Sequence, residues 1–122
     1  VKIDIQHEEV KKGLVFKKTK YQVTMQVIYT EEEKQIMKKN KLSRLSLVDG
    51  ENWWTTNGKT PPGMHDHGIY AGHFTDEKPI KVVLDTPSDA KALESELVGG
   101  LRKLKDEIDY LGQGNKSTSL EL

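Results

Sequence analysis

The chain has 122 residues and no cysteine. That length suits one domain with a modest core, and the missing thiols exclude disulfide frameworks, cysteine nucleophiles and thiolate zinc sites. The 19 Lys and Arg residues cancel the 19 Asp and Glu, so net charge gives no long-range field toward nucleic acid or an anionic membrane. No apolar run approaches the ~18 residues of a membrane-spanning helix, and Val1-Lys2-Ile3-Asp4 lacks the charged-then-apolar order of a secretory signal. The expectation is a cytoplasmic protein with neither nucleic acid nor membrane as a partner.

Along the chain, Val1, Ile3 and Ile5 alternate with Lys2, Asp4 and Gln6, the period-two pattern of a half-buried strand. Leu14-Val15-Phe16 and the lysine-rich turn Lys17–Lys20 lead into the clearest strand, where Tyr21, Val23, Met25, Val27 and Tyr29 share one face. A hairpin with an exposed basic turn is expected. Thr30-Glu31-Glu32-Glu33 reads as a capping box that opens a short helix from Glu31 to about Lys39, with Lys38, Lys39 and Lys41 at its dipole-compatible end. Leu45 and Leu47 predict a strand that stops at Asp49-Gly50.

Residues 51–67 hold Gly58, Pro61, Pro62 and Gly63 around the pair Trp53-Trp54, a density of breakers that predicts a long irregular excursion and no helix. Ile69–Thr75 and Ile80–Leu84 read as a strand pair, the second apolar enough to be central. Thr86-Pro87-Ser88-Asp89 is a strong helix start. Beyond it Ala90, Leu93, Leu97, Leu101, Leu104, Ile108 and Leu111 form one apolar stripe, about 80° wide at 100° per residue. A helix from Pro87 to Leu111 is ~37 Å long. Gly99 and Gly100 interrupt it, and Gly100, bordering the stripe, predicts a kink or a close packing contact. From Gly112 the composition lacks the apolar content to offset ordering entropy, so residues 1–111 are read as one domain and 112–122 as a flexible tail.

Two segments carry chemistry. His65 and His67 in an extended chain would lie on one side about 6.6 Å apart, a start toward a zinc or nickel site that His73 joins only if the chain folds back near Gly68 or Gly72. The third ligand would be Asp66, His7 or a group from a second subunit. Adjacent Trp53 and Trp54 in an extended segment would face opposite ways, one into the core and one toward a partner. Charge is also uneven: residues 1–45 hold 11 basic and 6 acidic groups, a net +5, and residues 46–122 hold 8 and 13, a net −5. Lys11, Lys12, Lys17, Lys18 and Lys20 lack the aromatic or glycine pattern of a nucleic-acid module, and they suit a hairpin edge that discourages strand addition. Gly58-Lys59-Thr60 fails as a phosphate loop because Trp53 stands where the first glycine belongs.

These readings combine into an α+β fold: a mainly antiparallel sheet of about five or six strands, a short helix, and one long C-terminal amphipathic helix packed on one face. The leading functional expectation is a small interaction or regulatory module that self-associates as a homo-oligomer, with Trp53, Trp54, Tyr70, Leu104, Ile108 and Leu111 as contact residues. No cofactor is required by that reading. The alternative is a small-molecule or divalent-metal site, open to catalysis, on His65, His67 and His73 with Trp53 or Trp54 as a wall.

Overall fold

The structure is a computed structural model that describes residues 1–113. In chain order its elements are β1 (Lys2–Lys12), β2 (Lys18–Ile28), α1 (Glu31–Lys39), β3 (Ser46–Asp49), α2 (Gly50–Asn57), β4 (Gly68–Tyr70), β5 (Ile80–Leu84) and α3 (Pro87–Gly112). The tail expected from Gly112 lies, beyond Gln113, outside the described residues.

β1 and β2 form the predicted hairpin, in register from Lys2 opposite Ile28 to Lys12 opposite Lys18. β1 is twice as long as its apolar alternation suggests, because from His7 onward its residues are held by the ladder to β2 rather than by burial. β5 joins the other side of β2 with Val82 opposite Val23, giving the order β1-β2-β5. The inward face of β2, Val23, Met25 and Val27, is fully buried.

The sheet differs from expectation in three ways. Five strands are divided between a three-stranded and a two-stranded sheet, instead of forming one sheet of five or six. The strand after Gly68 pairs with β3, not with β5. It stops at Tyr70 because the chain then enters a 3-10 turn, Ala71–Phe74, that buries Ala71 and Phe74. The buried Tyr29 hydroxyl donates to the Ala71 carbonyl at 3.0 Å and holds that turn against the larger sheet. β5 is an edge strand rather than a central one; its Val83 N–H donates to the Pro62 carbonyl at 2.9 Å, so the proline loop covers part of the edge.

The local helix signals appear as read. The Thr30 hydroxyl accepts from the Glu33 amide at 3.1 Å while the Glu33 carboxylate accepts from the Thr30 amide at 2.8 Å. The Thr86 hydroxyl accepts from the Asp89 amide at 3.0 Å, and Pro87 opens α3. Six of the seven stripe residues, Ala90 to Ile108, are buried. The irregular excursion is a correction: residues 50–57 are helical, because Asp49 caps the start by accepting from Glu51 N–H at 3.0 Å and the first breaker, Gly58, ends it in a left-handed turn at φ 72°.

α3 packs on β2, β5 and β3, and so joins the two sheets. Gly100 makes this approach possible: a Cβ there would lie 2.5 Å from the Leu47 carbonyl oxygen and 2.7 Å from its Cα. The same atom at Gly99 would meet nothing within 4 Å. Behind α1, the buried Glu33 carboxylate accepts from the Val1 amino group at 2.9 Å and from Lys105 of α3 at 3.4 Å. Burial alone would raise its pKa, but the Thr30 amide and the Val1 ammonium outweigh that and hold it at about 2.

Two outcomes are expected. Gly100→Ala drives a methyl into the β3 backbone and costs about 1–3 kcal/mol, whereas Gly99→Ala adds helix propensity in open space and contributes up to about 1 kcal/mol. Urea denaturation of the two variants separates them, and equal midpoints would refute the close-approach account. Because the Glu33 pKa is depressed, the stability it contributes is present above pH 4.5 and is lost as pH falls toward about 2. Glu33→Gln should flatten that part of the acid-denaturation curve.

Candidate functional site

The histidine loop folds back at the predicted place, with a different result. His65 and Gly68 form an antiparallel bridge in which Gly68 N–H donates to the His65 carbonyl at 2.8 Å, and Gly68 takes φ 101°. This tight reversal leaves Asp66 and His67 at the corner, both exposed. It brings His73, from the 3-10 turn after β4, to His65, with ring centroids 4.9 Å apart. His67 is therefore not part of the pair. Asp66 accepts from the Thr60 hydroxyl at 2.9 Å, and His7 faces Glu94 of α3 at 3.1 Å. Among the described residues no three His, Asp or Glu side chains form a metal-ligand group.

Hydrogen bonding also sets which lone pairs are available. The Tyr70 amide donates to His73 Nδ1 at 3.1 Å, so the neutral ring carries its proton on Nε2. A zinc-bound histidine that coordinates through Nε2 needs the opposite tautomer, with Nδ1–H donating to an acceptor. Burial and then the neighbouring His65 lower the His73 pKa. The two rings line a shallow cleft of about 400 Å³ with Thr75, Asp76, Lys78 and Pro79.

The contact candidates separate clearly. Because α2 is a helix, Trp53 and Trp54 are about 100° apart rather than opposed. Trp53 is buried and its indole N–H donates to Glu96 at 2.9 Å; the other oxygen of that carboxylate accepts from the Asp49 amide at 3.0 Å. Trp54 is 57% exposed. Leu104 and Ile108 are buried within the chain and Leu111 partly so, with α1 packed against α3. The apolar ridge that motivated self-association is thus covered by the molecule's own elements. Tyr70 is partly buried, edge-on to His73 with centroids 5.5 Å apart.

Sequence reasoning missed two features. The first is a cleft of about 430 Å³ beside the hairpin, lined by Trp53, Pro61, Val83 and Leu84 and by the charged groups Lys12, Lys20, Lys59, Asp85 and Asp89. Lys20 pairs with Asp85, whose pKa is lowered by that bond above all. The second is the hairpin tip. Leu14, Val15 and Phe16 are 102%, 83% and 84% exposed. β5 ends opposite Tyr21, so the ribbon of Val10–Lys12 and Lys18–Lys20 continues without a third strand for about 10 Å at ~3.3 Å per residue before the loop begins. The signal for this finger was three consecutive large apolar residues inside a lysine-rich turn.

With a depressed folded-state pKa, His73 contributes stability that is present above the unfolded value of about 6.5 and is lost as pH falls through the folded one. His73→Gln, whose side-chain oxygen can still accept from Tyr70 N–H, should reduce this mildly acidic loss in urea midpoints. An unchanged profile would show that the ring does not titrate in a desolvated site. No family model matches the chain, and comparison with curated proteins and with solved structures finds no significant match.

Proposed function

We propose that this chain is an interaction module whose docking element is the finger formed by the β1–β2 hairpin. The observation that carries the reading is the near-complete exposure of three consecutive large apolar side chains, Leu14, Val15 and Phe16, on a ribbon that no third strand supports. Burying such side chains elsewhere would contribute about 1.5–3 kcal/mol each to folding. Here they do nothing for the core, so a partner is the natural beneficiary. The finger replaces the ridge of α3 as the surface on offer, since that ridge is covered.

The triple variant Leu14→Ser, Val15→Ser, Phe16→Ser should melt within about 2 °C of the wild type, because surface positions away from packing change stability by less than ~0.5 kcal/mol. Its retention on a phenyl-substituted matrix should fall sharply. A melting temperature several degrees lower would make the tip structural and end the docking reading.

The cleft beside the hairpin supports a second reading, a small-molecule site. Its size is that of ordinary ligand pockets; Trp53 supplies an aromatic wall, and with Lys20 engaged by Asp85 the cations Lys12 and Lys59 outnumber the remaining carboxylate Asp89. The matching ligand is an apolar ring system bearing a carboxylate or sulfonate. Titration with naphthalene-2-sulfonate should quench Trp53, and Lys59→Gln should weaken that binding; unaltered fluorescence would discard the site.

A further inference from the structure

Resting on the docking role of the finger, we infer that its partner is an anionic lipid surface, entered by Leu14, Val15 and Phe16 while the flanking lysines meet the headgroups. Three features point to lipid rather than to a protein groove.

The first is the shape of the exposure. All three side chains are open to solvent on nearly every side. A protein face covers a projecting turn from one direction, whereas a fluid acyl layer encloses it from all. Leu14 and Val15 also offer no ring to stack on a nucleic-acid base.

The second is charge. Lys11, Lys12, Lys17 and Lys18 flank the loop, and no carboxylate occurs between Val10 and Lys20. Lys12 and Lys18 stand directly opposite each other in the ladder, a like-charge pair that the isolated fold gains nothing from. Lys59 adds a further exposed cation beside the hairpin. The balanced total of the chain conceals this local excess.

The third is depth. The lysines begin one residue from the apolar triplet on the Phe16 side and two on the Leu14 side, ~3–7 Å back along the strands. Interfacial apolar groups sit about 5–10 Å into the boundary between headgroups and acyl chains. The ammonium groups then lie at the level of the phosphates. This mode needs no spanning segment, and among the described residues no helix is long and apolar enough to cross a membrane.

Because the chain has no cysteine, Val15→Cys carries one environment-sensitive nitrobenzoxadiazole label at the tip. Vesicles of phosphatidylcholine alone are compared with vesicles containing about one-third phosphatidylserine. The expected result is co-sedimentation with the anionic vesicles, a blue shift of the label, and affinity that falls steeply with added salt. Each of Lys11→Gln, Lys12→Gln, Lys17→Gln and Lys18→Gln should weaken binding about fivefold, and the triple serine variant at least about tenfold. Equal binding to both vesicle types overturns the inference, as does a bound protein whose label does not shift. Absence of vesicle binding also overturns it; if the triple variant still melts like the wild type and loses retention on the phenyl matrix, the docking role stands and the partner is a protein pocket with an acidic rim.

Discussion

With no side chain at Gly100, the backbone of α3 reaches that of β3 at Leu47, and this approach lets one helix close over two separate sheets. The stripe from Ala90 to Leu101 and the inward face of β2 then share one core, while Leu104 and Ile108 continue the stripe beneath α1. The loop between β3 and β4 is drawn into position by the same helix: Glu96 binds both the Trp53 indole and the Asp49 amide. α2, the cleft it walls and the β4 turn that gathers His65 and His73 are therefore placed indirectly by the seat of α3 on β3.

Features written within a few residues of each other were legible in the sequence. Thr30 with Glu33 and Thr86 with Pro87 and Asp89 are local hydrogen-bond geometries, and they appear as read. Gly100, bordering the apolar stripe, is legible as either a kink or a close packing contact, and the structure has the close contact, with Leu47. Partner choice among strands was not. Ile69 and Tyr70 alternate as well for β5 as for β3, and the decision rests on a 3-10 turn whose value comes from burying Phe74 and engaging Tyr29, a residue 42 positions away from Ala71. α2 is obscured in the sequence because the breakers at 58–63 follow directly on it, and they dominate residues 51–67 although 51–57 are helical.

The candidate sites divide along the same line. The spacing of His65 and His67 suggests a pair in an extended chain, yet a turn at Gly68 pairs His65 with His73 and leaves His67 outside. The hairpin turn reads as exposed and basic from its lysines, but the apolar triplet Leu14-Val15-Phe16 reads equally as the lead-in to a strand. Only the register, which ends β5 opposite Tyr21, separates residues that belong to the sheet from those that project beyond it.

That register also makes the hairpin a cantilever. It is clamped where β2 lies between β1 and β5, and past Tyr21 its own ladder and the ion pair of Lys20 with Asp85 are what resist twist. A load applied at the loop is borne by the ribbon before it reaches the core, so the body of the molecule can keep its packing while the far end tilts to suit whatever it meets.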